Sequence, residues 1–174
     1  MTSNAQALST ENVPSVQEVT RKVLQAVNGY ASAISCVESS AKAKDIAALK
    51  PYKTIDNAYD AQYLVFWDGD IGCAGGSGTT SFNAALVHTG AGGTFIVDPL
   101  RSSPVIDLEF NTRLFERLVG NTENTLVVEA GEFAENDSNC CPTLHFRYTL
   151  RIDDKGNWKL VEKKPVQPKQ DKTQ

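Results

Sequence analysis

The chain has 174 residues, 41% of them hydrophobic and 22% charged, which suits one soluble domain with a real core. A net charge of −4, with clustered lysines only in the C-terminal tail, argues against a general nucleic-acid binder. No stretch approaches the roughly 20 apolar residues of a membrane-spanning helix, so no membrane span is expected.

Residues 1–14 are small, polar and without periodicity, which predicts a disordered lead-in. The lead-in lacks the basic and apolar regions of a signal peptide. Two explanations compete: a cytosolic protein, or a mature chain whose signal, with or without a lipid anchor, has been removed. An even number of cysteines favours the second.

A single domain is predicted over 15–163. Ser15 and Glu18 form a capping box just after Pro14. Val16, Val19, Val23, Val27, Tyr30 and Ile34 then recur every three or four residues, giving one apolar stripe along an amphipathic helix. Cys36 lies about 200° round from Val16, so the helix is expected to end near Ser35 if this cysteine is bridged to the domain. A second helical turn is predicted over Lys42 to Leu49, stopping before Lys50-Pro51.

From Ala61 the pattern is strands and turns. Tyr63 to Trp67 is an apolar strand, followed by a glycine-rich loop from Asp68 to Thr80. Ser81–His88 and Thr94–Asp98 read as a hairpin, and Val105–Phe110 as a further extended piece. Residues 113–119 suit helix or strand. Strand is preferred, because 120–124 then turns the chain into Thr125–Glu129. His145 to Ile152 alternates, with Phe146, Tyr148, Leu150 and Ile152 opposite His145, Arg147, Thr149 and Arg151, and Trp158 to Val161 returns after a turn at 153–157. Beyond it, 164–174 carries Pro165, Pro168 and repeated lysines and is expected to be a disordered tail. The fold class expected is α+β: an N-terminal amphipathic helix packed on a twisted antiparallel meander, stabilised by disulfides.

The segment Asp137 to Thr143, with Cys140-Cys141-Pro142 at its centre, resembles the D-x-x-CCPS signature of small exported bacterial proteins, including the LppP/LprE-type lipoproteins. Thr143 stands where that signature has serine. Gly72-Cys73-Ala74-Gly75-Gly76-Ser77-Gly78 is similar to the glycine-rich CxGGSG element of such proteins, and the likeness covers about 61–162. It implies a periplasmic or secreted location and says little about activity.

Four cysteines permit three pairings. A Cys140–Cys141 bridge would close a strained eight-membered ring and is disfavoured. The other two pairings join Cys140 and Cys141 separately to Cys36 and Cys73, each bridge contributing about 3–4 kcal/mol. A redox pair would need a depressed, exposed thiol, and the nearby Glu135 and Asp137 oppose that. Zinc ligation lacks paired C-x-x-C spacing, so no metal and no cofactor are expected.

Asp68, Asp70, Ser77 and Thr79 mark the glycine loop as the expected binding surface, since glycines let backbone groups approach a ligand. The spacing is that of neither an EF-hand nor a P-loop. The sequence therefore points to a non-catalytic, monomeric binding or interaction domain of the bacterial cell envelope, antigen-like, with an unidentified protein or envelope ligand as partner. The alternative is a small extracytoplasmic enzyme or metal-binding protein using the 68–80 loop. A third class, redox sensing by Cys140-Cys141, requires an accessible free thiol.

Overall fold

The structure, a computed structural model, describes residues 13–36, 41–75 and 80–167. Helix α1, Val16–Ile34, starts where the capping box places it: the Ser15 hydroxyl accepts the Glu18 N–H at 3.1 Å. Val19, Val23, Val27 and Ala31 are its buried residues, whereas Val16, in the first turn, is 81% exposed. Ser35 ends the helix in an extended conformation.

Eight strands follow, in two four-stranded antiparallel sheets rather than one meander. Sheet I has the order β1 (Ile46–Lys50), β2 (Gln62–Gly69), β3 (Ser81–Thr89), β4 (Phe95–Asp98). Sheet II has the order β5 (Phe115–Asn121), β6 (Thr125–Glu132), β7 (Leu144–Ile152), β8 (Trp158–Pro165). Every consecutive pair within a sheet is antiparallel and adjacent, as short connections favour.

Two apolar clusters account for the layering. One joins Ala47, Leu49, Leu64, Phe66, Ala84 and Leu86 of sheet I to Phe115, Leu126, Val128, Tyr148, Leu150 and Trp158 of sheet II. Phe66 and Phe115 stack across the sheets with centroids 4.2 Å apart. The other cluster joins the buried residues of α1 to Tyr63, Val65, Trp67, Ala85 and Val87, the opposite side chains of β2 and β3. Tyr30 meets Trp67 edge-on and donates its hydroxyl hydrogen to the Ser103 carbonyl at 2.7 Å.

Three expectations are corrected. Lys42–Leu49 is not a helical turn: a 3-10 turn at Ala43–Asp45 leads into β1. The Ile46-Ala47-Ala48-Leu49 run, helix-prone by composition, pairs with β2, and its side chains alternate between the two apolar clusters. Val105–Phe110 forms no strand. The Ser102 and Ser103 hydroxyls accept the Leu86 and Ala84 N–H groups, so this connection runs beside β3 on side-chain hydrogen bonds before crossing to sheet II. Strand β8 continues to Pro165, and the Val166 N–H reaches the His145 carbonyl at 2.9 Å, past the expected start of the tail at 164.

Candidate functional site

The glycine loop leaves β2 beside the end of α1. The Asp70 N–H donates to the Ser35 hydroxyl at 2.9 Å, and the Gly72 N–H donates to the Ile34 carbonyl at 3.0 Å. Asp70 is 5% exposed, and its carboxylate accepts the N–H groups of Ala74 and Gly75 at 3.3 and 3.0 Å. Those oxygens are spent on closing the loop's own turn. Asp68 is half-buried in β2, paired in register with Phe82. Ser77 and Thr79 lie outside the described residues. The histidines are elsewhere. His88 pairs in register with Gln62 at the far end of β2, and His145 lies in sheet II, its ring nitrogen 2.5 Å from Glu116. Among the described residues no three His, Cys, Asp or Glu side chains gather as a metal site.

The cysteine pairing differs from the one expected. Cys36 is bridged to Cys73, with Cα atoms 5.2 Å apart, and Cys140 is bridged to Cys141. No cysteine is free. Layer geometry explains the outcome. Cys36 and Cys73 follow α1 and β2, which lie side by side. The 140–141 segment rests instead on the outer face of sheet II, where a Cβ on Gly131 would meet the Pro142 ring at 2.8 Å. Packed sheets lie about 10 Å apart, beyond the roughly 7 Å Cα separation that a disulfide spans. Asp137 holds this segment by accepting the Ala134 and Thr143 N–H groups and the Thr143 hydroxyl, and these bonds lower its carboxyl pKa.

A cavity of about 410 Å³ opens between the sheets, at the end where the β7–β8 hairpin turns. Leu49, Leu64 and Leu86 of sheet I and Trp158 of sheet II form its floor. Val105 and Ile106 of the crossing connection make one wall. The lining includes three cations, Arg101, Lys155 and Lys159, against one carboxylate, Asp107. That carboxylate accepts the Glu109 N–H at 2.8 Å.

The three cations differ in how far they are already engaged. Lys159 pairs with Glu109 at 2.7 Å, which raises the lysine pKa and lowers that of the carboxyl; Glu109 also accepts the Leu160 N–H. Arg101 has Asp98 only at 3.9 Å, and that carboxylate already accepts the Leu100 N–H. The Arg101 guanidinium lies over Gly156, 3.2 Å from where a Cβ would stand. Gly156 has φ +83°, so the turn and the arginine together require the bare backbone. Lys155 Nζ makes no ion pair or hydrogen bond with a described residue.

Sequence reasoning did not reach this cleft. Asp153 to Asn157 read as turn chemistry, and Arg101 was not singled out. The usable signal was Lys155-Gly156-Asn157 leading into the buried Trp158, a cation placed at the mouth of the core. Compared with family models, curated proteins and solved structures, the chain matches none.

Proposed function

We propose that this chain is an extracytoplasmic, non-catalytic binding domain of the bacterial cell envelope, and that its ligand occupies the cleft between the sheets rather than the glycine loop. The observation that carries the reading is the cleft itself: about 410 Å³, within the range of small-molecule sites, with Leu49, Leu64, Leu86 and Trp158 beside polar residues that include Gln62 and Asn157. The glycine loop supports a structural role instead, because Asp70 serves the loop's own amides and Cys73 ties the loop to the helix end. Two bridges that leave no free thiol support an oxidising compartment, as does the resemblance of the Cys140-Cys141-Pro142 segment to exported lipoproteins.

Octan-1-ol, a neutral apolar probe, tests the cleft. Titrated into 15N-labelled protein, it should shift the Trp158 indole and the amides of 153–157, and Val105→Trp, at an exposed position on the cleft wall, should block those shifts. Shifts centred on residues 68–75 would move the site back to the glycine loop. Alkylation of the non-reduced, folded chain tests the compartment. An unchanged mass is expected, and any modified cysteine would remove the support the bridges give.

A further inference from the structure

The charge at the cleft mouth carries the reading further, to the class of ligand. We propose that the cleft takes a small amphiphile with one anionic head, a carboxylate or a phosphate, held between Arg101 and Lys155 while its apolar chain lies between the sheets. This rests on the cleft being the binding site.

Part of the charge at the cleft is unspent. The chain as a whole is acidic, at −4, yet cations outnumber carboxylates three to one in the cleft lining. Lys159 is neutralised by Glu109, and Asp107 is engaged by a backbone N–H. Arg101 and Lys155 remain, one loosely paired and one unpaired among the described residues. Both stand at the same hairpin turn, since Lys155 precedes the glycine over which the Arg101 guanidinium lies.

A guanidinium fork and an ammonium at the same turn suit the oxygens of a single anionic head, through short charge-assisted hydrogen bonds. The rest of the lining is largely hydrocarbon, with Gln62 and Asn157 as its uncharged polar residues: Val105, Ile106 and the floor leucines offer an alkyl chain burial. A wholly polar anion would leave that surface wet. A neutral lipid would leave Lys155 unpaired among the described residues and Arg101 with only its loose pairing to Asp98.

Four eight-carbon probes, used below their micellar concentrations, separate the possibilities: octanoate, octyl phosphate, octan-1-ol and octyltrimethylammonium. Binding is read from the Trp158 indole and the 153–157 amides. The expected result is that at least one anionic probe binds roughly tenfold tighter than octan-1-ol, with the quaternary ammonium weakest. Arg101→Gln with Lys155→Gln should erase that preference by weakening the anionic probes far more than octan-1-ol. Lys155→Glu alone, in an exposed turn that tolerates it, should lower the anion-to-neutral ratio even if the double variant folds poorly.

Preference for octyl phosphate over octanoate would point to a phospholipid-type head, and the reverse to a free fatty acid. Equal binding of octan-1-ol and both anions at the cleft overturns the anionic head and leaves the cleft site standing. Absence of cleft shifts with all four probes overturns both.

Discussion

The two sheets have four strands each, yet their sequences are written differently. In sheet I, Tyr63 to Trp67 of β2 and Ala84 to Val87 of β3 are buried without a break, because apolar residues of α1 meet one face and sheet II meets the other. In sheet II, Leu126, Val128, Tyr148 and Leu150 point inward, while Glu129, Arg147, Thr149 and Arg151 point out. A continuous apolar run therefore marks the middle layer and alternation marks the outer one, although every pairing here is antiparallel.

The sharpest way to break that contrast is to truncate one side chain in each sheet. Phe66→Ala removes a fully buried ring from its stack on Phe115, and a loss of about 3–5 kcal/mol is expected from urea denaturation. Thr149→Ala, on the outer face of sheet II, should change stability by less than about 0.5 kcal/mol. Comparable losses at the two sites would refute the assignment of layers.

The disulfides extend the comparison. Cys36–Cys73 closes a loop with a sequence separation of 37, so Cys36→Ser with Cys73→Ser should cost about 4 kcal/mol by loop entropy. Cys140–Cys141 constrains neighbouring residues, and Cys140→Ser with Cys141→Ser should cost about 1 kcal/mol on the same account. Thermal melts of the two double variants would separate these values. The reverse order would mean that the vicinal pair, and not the long bridge, holds the domain.

What could be read beforehand follows the same division. The Ser15 cap, the β3–β4 and β7–β8 hairpins and the β5–β6 turn are local, so neighbouring residues carry their signals. β1 was missed because Ala47 and Ala48 have no strand preference of their own; β2, some fifteen residues later, makes them a strand. The cysteine partners depended on which layer each cysteine joins, and sequence spacing does not encode that. The expected site at Asp70 rested on oxygen-bearing side chains beside glycines, a pattern that a self-closing turn shares. The cleft draws on both sheets and the connection between them, so its residues lie far apart in the chain.

A charged group tests the outer face of sheet II. Glu129 is 6% exposed on a face that is otherwise wet, because Arg117 and Arg147 close over its carboxylate at 2.6 and 2.7 Å. Burial alone would raise its pKa. The hydrogen bonds from the two arginines outweigh burial and hold it below the ordinary 4.5. A carboxyl lowered in the folded state contributes stability that is complete above its unfolded value and is lost as pH falls through the folded one. Glu129→Gln should therefore cost about 2 kcal/mol at neutral pH, with the arginines' own exposure limiting the loss. The deficit should shrink below pH 4.5. A deficit constant down to acid pH would mean that Glu129 contributes packing and not charge.

Gly131 gives a small effect and the most local one. It is the β6 residue on which the Cys140-Cys141-Pro142 segment rests, and a methyl there would stand 2.8 and 3.2 Å from two atoms of the Pro142 ring. A proline ring between a cysteine pair and an Asp137-bonded threonine has little freedom to turn aside, so the segment would have to lift as a unit. Its attachments to Asp137 lie at the surface and contribute nothing to the core between the sheets. Gly131→Ala should then lower global stability by only about 1 kcal/mol. Hydrogen exchange at the Thr143 N–H, bonded to Asp137 at 2.8 Å, should meanwhile quicken well beyond that of the β6 and β7 amides. If Thr143 and the strands lose protection together, the segment is a working part of sheet II. If Thr143 alone loses it, the Cys140-Cys141-Pro142 segment is an appendage to a sandwich that stands without it, and its purpose lies on the outer face, away from the cleft.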